Sequence, residues 1–309
     1  MPLHIVTHPD YDAGFPTSHR FPMGKYSELM RVLGERGLLA TAFVHRPTVA
    51  PVGWLELAHE RAYVDQVLAC AVPKRIEREI GFAIVERTSL RAQLASGGTV
   101  LAARLALEHG LACNTAGGSH HARRAQGAGF CTFNDAAIAT LALLAEGAVE
   151  NVLIVDLDVH QGDGTAEILK DEPRAFTFSM HGARNYPVRK ALSDWDIGLA
   201  DGTADNDYLK ALADALPQLS ALRRWDLVFY NAGVDPHRED RLGRLALSDG
   251  GLRARERMVI GWFRQRGIPL CGVLGGGYSQ DIAALAARHA ILFETAAEFS
   301  DAGSAGAKR

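Results

Sequence analysis

The chain has little cysteine, no long apolar run and no excess of charge of either sign, and each shortage removes a class of protein. Four cysteines, Cys70, Cys113, Cys131 and Cys271, occur without a CxxC pair, so a disulfide-stapled fold is excluded and they read as buried free thiols. No stretch approaches the roughly 18 apolar residues of a membrane span. The opening Met1-Pro2-Leu3-His4 lacks the basic-then-apolar pattern of a secretory leader, so the expectation is a cytoplasmic protein with no membrane contact. Lys and Arg total 33 against 36 Asp and Glu, a net charge of -3, which gives no basic field for direct nucleic-acid binding. Repeats and low-complexity blocks are missing too. Residues 1–300 read as one domain, and only 301–309 is small and polar enough to read as a flexible tail.

What is present is an alternation of helical and strand patterns in a chain that is 48% hydrophobic, enough to fill a large core. Amphipathic periodicity predicts helices over 25–35, 54–70, 89–109, 134–146, 206–219 and 248–266, several of them followed by a glycine that fits a left-handed cap. Continuous apolar runs at 111–114, 152–158, 175–179, 227–231 and 269–274 predict parallel strands buried on both faces. The class is therefore α/β. Each strand is followed by a polar or glycine-rich segment, and these five segments share the carboxyl-end rim where an open parallel sheet presents its site.

The richest segment is Asp156-Leu157-Asp158-Val159-His160. In an extended strand the two aspartates and the histidine emerge on one side. Asp158, His160 and a third carboxylate, best supplied by Asp235 in Asn231-Ala232-Gly233-Val234-Asp235-Pro236-His237, would suit zinc, ferrous iron, manganese or cobalt and leave a position open for water or substrate. A lone Asp-x-His after a strand is more often a polar loop than a ligand pair. The convergence of five chemically equipped segments shifts the weight towards metal.

His120-His121 follows Gly117-Gly118-Ser119, and glycine freedom is what lets adjacent imidazoles serve one site. One is suited to general base and the other to general acid or electrostatic support, with Asp156 and Asp163 available to orient them; in isolation the pair reads as a polar loop. Gly275-Gly276-Gly277-Tyr278 lacks both GxGxxG and a P-loop lysine, so a dinucleotide site is disfavoured. Its tyrosine is suited to donating a hydrogen bond to a carbonyl oxygen that gains charge during hydrolysis.

Gly117-Gly118-Ser119-His120-His121, Gly129-Phe130-Cys131, Asn134-Asp135, Asp156-x-Asp158-x-His160-x-Gly162-Asp163-Gly164, Asp235-Pro236-His237 and Gly275-Gly276-Gly277-Tyr278 together resemble the zinc-dependent histone deacetylase family, in order and spacing, from about Pro16 onward. The resemblance implies the arginase-deacetylase fold, one three-layer domain with a mostly parallel sheet of about eight strands. It implies Zn2+ on Asp158, His160 and Asp235, Tyr278 as carbonyl polariser, and a tandem pair His120 and His121 partnered by Asp156 and Asp163. It further implies a substrate tunnel at Gly129, Phe130, Tyr186 and Gly276 and an internal-channel arginine at Arg20. A monovalent cation, K+ or Na+, is implied beside Asp156, Asp158, His160, Ser179 and Met180. His160-Gln161-Gly162 with Arg184-Asn185-Tyr186-Pro187 is most similar to bacterial class IV-like members, although Asp163 stands where that group tends to have Asn.

The expected activity is removal of an acyl group from an N-acyl-lysine of a protein or peptide, or from a related small acyl-amine. An acetylpolyamine amidohydrolase of the same fold is the enzyme alternative. A catalytically silent binding protein is disfavoured because no ligand or catalytic position is replaced. Acyl-chain length and oligomeric state leave no mark on the sequence.

Overall fold

Apolar runs too short for helices pair side by side, and eight strands make one sheet. The computed structural model, which describes residues 2–300, has strands β1 (His4–Val6), β2 (Phe43–His45), β3 (Leu111–Asn114), β4 (Val152–Asp156), β5 (Ala175–Gly182), β6 (Trp195–Leu199), β7 (Leu227–Asn231) and β8 (Leu270–Val273). Every pairing is parallel, in the order β2-β1-β3-β8-β7-β4-β5-β6. The central four, β3, β8, β7 and β4, are buried along their whole length. Helices on both faces demand this, and it explains why those strands show no polar alternation.

The helices are α1 (Lys25–Glu35), α2 (Leu38–Thr41), α3 (Val52–Ala58), α4 (Arg61–Leu68), α5 (Lys74–Ile80), α6 (Glu86–His109), α7 (Asp135–Ala145), α8 (Asp163–Leu169), α9 (Asp205–Leu222), α10 (Asp249–Gln265) and α11 (Ile282–Ser300). Alternate residues of β4 enter separate cores. Leu153 and Val155 pack with α1, α9, α10 and α11, whereas Val152 and Ile154 pack with α3 to α8. This is the expected three-layer α/β architecture, entirely rather than mostly parallel. The carboxyl ends of the strands all open on one rim.

Several expectations need correction. Residues 54–70 form two helices, because His59 adopts an extended conformation (φ -121°, ψ 151°) between them. Its buried ring accepts from Asn134 N at 2.9 Å and donates to Arg123 O at 2.8 Å, satisfying two loop groups that a continuous helix would leave unpaired. Strand β4 ends at Asp156 rather than 158. Cys113, Cys131 and Cys271 are buried, but Cys70 is exposed. The 301–309 segment lies outside the described residues. Among the described residues, no helix is long and apolar enough to cross a membrane.

Candidate active site

Because β4 stops at Asp156, strand alternation is not what gathers Asp156, Asp158 and His160. The chain instead turns on its own carboxylates: Asp158 N donates to Asp156 Oδ1 at 3.1 Å and His160 N to Asp158 Oδ1 at 3.0 Å. Such side-chain-to-backbone bonds stabilise bends that ordinary strand geometry excludes. Asp235 arrives after β7 and is fixed by Val159 N, which donates to its Oδ1 at 2.8 Å. His160 Nδ1 then lies 3.0 Å from Asp158 Oδ1 and 3.1 Å from Asp235 Oδ2.

One ligand atom from each of these three buried residues lies within 4.8 Å of the others, the one such group of His, Cys, Asp and Glu among the described residues. Burial and the neighbouring charge of Asp158 push the Asp235 carboxyl up to about 7. Two buried carboxylates facing one imidazole are an unfavourable arrangement that a divalent cation relieves, so the donor set fits a metal. Three protein ligands of this kind also suit an open catalytic position.

The tandem histidines meet this triad from the loop after β3. Gly117 (φ 85°) and Gly118 (φ 78°) give the loop its left-handed path. Asp135 tethers it by accepting from Ser119 N at 2.8 Å and Gly118 N at 3.1 Å. His120 Nδ1 bonds Asp156 Oδ2 at 2.7 Å and His121 Nδ1 bonds Asp163 Oδ1 at 2.6 Å. With both Nδ1 atoms held, the two Nε2 atoms converge to 3.1 Å.

Their environments differ. Burial disfavours a proton on His120, but the charges of Asp156 and Asp158 prevail and raise it to about 9. His121 falls to about 4 through burial and then the charge of His120, against the weaker support of Asp163. That support is divided, since Asp163 Oδ2 also receives Arg123 at 2.6 Å. Asn231 completes the set by donating to Asp156 Oδ1 at 2.9 Å.

Above the triad opens a pocket of about 330 Å³ that includes His121, His160 and Tyr278 in its lining. Tyr278 is buried, and its N donates to Asp240 Oδ2 at 2.7 Å. The Phe130 ring lies 5.6 Å from that of Tyr278, and the Tyr186 ring meets His121 edge-on at 4.8 Å. Gly129 and Phe130, both at positive φ, also line this pocket.

Residues 19–293 match the histone deacetylase domain. The chain belongs to the histone deacetylase family. It is 47% identical over 296 residues to an uncharacterized protein of Picosynechococcus sp., covering 96% of this chain and 99% of that one. It is 30% identical over 293 residues to histone deacetylase 2 of Arabidopsis thaliana, covering 91% and 76%. The crystal structure of an HDAC homolog complexed with SAHA superposes with a TM-score of 0.83 at 25% identity, covering 96% of this chain and 84% of that one. The chain is thus a histone deacetylase-family hydrolase of acyl-amides carrying a candidate metal triad.

Two expected placements differ within this histone deacetylase fold. Arg20 is exposed and lines the mouth of the open pocket, not an internal channel. The arginine of the inner cavity is Arg91 of α6, buried, donating from Nε to Tyr11 O at 2.9 Å and bonded to the Tyr26 hydroxyl. Gly276 also lines the inner cavity rather than the open pocket. Its N donates to Asp158 Oδ2 at 2.7 Å. Ser179 pairs in register with Asp156 across β4 and β5, with Met180 next to it, and both are buried.

Asp135 and Asn231 stand in segments the sequence marks, Asn134-Asp135 and Asn231 to His237, but without roles of their own; Arg123 reads only as a rim charge and Arg91 as an ordinary helix residue, so their places in the site come from the fold.

Proposed function

We propose that the protein is a zinc-dependent deacylase that hydrolyses N-acyl-lysine or a similar acyl-amine. The observation that carries this reading is the convergence of the two imidazole Nε2 atoms, 3.1 Å apart, beside the buried Asp158, His160 and Asp235 triad, whose His160 lines the pocket together with His121. A divalent ion held by that triad supplies polarisation of the scissile carbonyl and a more acidic water. His121, kept neutral by burial and by the charge of His120, accepts the water's proton and returns it to the leaving amine. His120, protonated beside Asp156, contributes fixed positive charge. The Tyr278 hydroxyl donates to the carbonyl oxygen as that oxygen gains charge. The C–N bond breaks, giving a carboxylate and an amine. Phe130 and Tyr186 are suited to gripping the alkyl stem of the substrate. A K+ or Na+ ion beside Asp156, Asp158, His160, Ser179 and Met180 belongs to the same reading, supported by the register between β4 and β5.

Arg20, Arg184 and Arg244 line the mouth of the pocket beside one carboxylate, Glu79, and although Asp201 pairs with Arg184 and Arg244, the lining itself carries more positive than negative charge, which counts against a polycationic acetylpolyamine substrate. The test is a fluorogenic acyl-lysine panel, from acetyl to long-chain, run before and after chelation and after Zn2+ is restored. Turnover is expected to disappear on chelation, return with metal and be inhibited by SAHA. Hydrolysis that chelation leaves intact overturns the reading. Asp158→Ala is expected to lose the metal itself, as read by elemental analysis.

A further inference from the structure

The arginines at the mouth of the pocket are not balanced by the chain around them. Arg20 precedes α1, Arg184 follows β5 and Arg244 lies between β7 and α10, and all three are exposed. Arg184 Nη2 and Arg244 Nη1 both reach a single oxygen, Asp201 Oδ2, at 3.1 and 3.2 Å. That carboxylate offsets the charge of one and leaves the other, and most N–H donors of both guanidiniums stay free. Among the described residues Arg20 has no ion-pair partner. The carboxylate of the lining, Glu79, is engaged by Arg75 at 2.5 Å. The whole chain has a net charge of -3, so the positive mouth is a local feature.

Two of these arginines stand on loops fastened to each other. Asn185, buried, donates from Nδ2 to Leu242 O at 2.8 Å and its Oδ1 accepts from Arg244 N at 3.2 Å. The shared Asp201 adds a second link. Charges held this way lose less freedom when a ligand arrives. Substrate chemistry says what that ligand is. An acyl-lysine carries its amide at the end of a long alkyl stem, so with the amide beside the triad and the stem against Phe130 and Tyr186, the peptide backbone and its neighbouring side chains lie at the mouth. Guanidiniums there attract carboxylates and repel lysine and arginine. We propose that Arg20, Arg184 and Arg244 determine specificity by binding the Asp and Glu side chains that flank the acyl-lysine, so that the substrate is an acyl-lysine set in acidic sequence. The inference rests on the hydrolytic reading of the site given above.

Peptides blocked at both termini, with one central acetyl-lysine and flanks of Glu, Gln or Lys, test this in the metal-loaded full chain. With Glu flanks kcat/KM should be about tenfold higher than with Lys flanks, Gln falling between. The difference should sit in KM, since the contact is made equally in the ground state and the transition state. It should shrink as NaCl rises from about 0.05 to about 0.5 M. In the triple variant Arg20→Gln, Arg184→Gln, Arg244→Gln the Glu-over-Lys ratio should fall to about twofold or less.

Equal turnover of the three peptides by the wild-type protein, or a preference for Lys flanks, overturns the proposal and leaves the hydrolytic reading standing. A ratio that survives in the triple variant also overturns it, because the selection then comes from elsewhere. If the triple variant does not fold, the single variants decide: each should lower the ratio about twofold, and an unchanged ratio in all three overturns the proposal. If no peptide is hydrolysed, the functional reading fails, and fluorescence anisotropy of the same peptides, labelled at one terminus, decides the selection: tighter binding with Glu flanks supports it and equal binding overturns it.

Discussion

Arg123 and His121 divide one carboxylate between them: His121 Nδ1 bonds Asp163 Oδ1 at 2.6 Å and Arg123 Nη2 bonds Asp163 Oδ2 at 2.6 Å. Burial alone would raise the Asp163 carboxyl, but the bonds from His121 and Arg123 outweigh it and hold it below its ordinary value. Burial and the charge of His120 keep His121 the less basic of the pair, and negative charge engaged with the guanidinium supports the imidazole less, so Arg123 adds to that difference. Arg123→Gln should therefore raise the His121 pKa by about one unit. A general base must be unprotonated to act, so the acidic limb of the kcat/KM profile should move to higher pH. A limb that stays in place, or moves down, refutes the division of roles between the two histidines.

Much of this site was legible because its chemistry is concentrated in short segments. Asp158, His160 and the tandem histidines are sequence neighbours of apolar runs that could only be buried strands, and Asp235 follows another such run. The bend after Asp156 was not legible, since it is made by carboxylates bonding to their own backbone rather than by strand periodicity. Strands β1, β2 and β6 carry no such signal: β1 is buried but only three residues long, His4–Val6, and the other two lack an apolar run for a different reason. Phe43 and Val44 on the sheet edge are exposed, and Trp195, Asp196 and Ile197 are only half-buried, so neither stretch shows the apolar run of a central strand. Arg91 looks like an ordinary surface residue of a long helix. Only the fold reveals that it faces the inner cavity, while Arg20, nearer the N-terminus, stays outside.

Arg255 shows how the rim is supported from below. Fully buried on α10, it donates to the carbonyls of Gly233 at 2.7 Å and Leu157 at 3.2 Å, close in sequence to the proposed ligands Asp235 and Asp158, and pairs with buried Glu256 at 2.6 Å. Arg255→Met leaves Glu256 without its cation and should destabilise the fold by about 3–5 kcal/mol. Adding Glu256→Gln should recover part of that loss by removing the stranded charge. Urea unfolding of the single and double variants checks both statements; a double variant no more stable than the single one excludes the stranded charge as the cause.

Gly276 allows the turn to approach the triad as closely as it does. A Cβ built there would stand 2.6 Å from Asp158 Oδ2 and closer still to Asp235 Oδ2, nearer than carbon and oxygen pack. Gly276→Ala must displace one or both carboxylates, so metal affinity should fall about 10- to 100-fold. Titration against a competing chelator measures this directly, and unchanged affinity would show that the ligand geometry does not depend on the absent side chain.

A second histidine group, far along the sheet from the hydrolytic centre, should set part of the acid sensitivity of the fold. His4 of β1 contacts His45 of β2 with Nδ1 and Nε2 3.0 Å apart and stacks on His109 of α6 at 3.9 Å. Burial, then the neighbouring His109 and His45, lower its pKa to about 4, only partly opposed by Glu108. The unfolded chain has an ordinary histidine there, near 6.5, and so binds more protons than the native state between that value and about 4. Stability is therefore fully present above pH 6.5 and declines as pH falls through the window. His4→Phe keeps an aromatic ring in the stack without a titrating group. Its urea midpoint should fall less than the wild-type midpoint between pH 7.5 and pH 5, and equal falls would mean that His4 contributes nothing to the acid response.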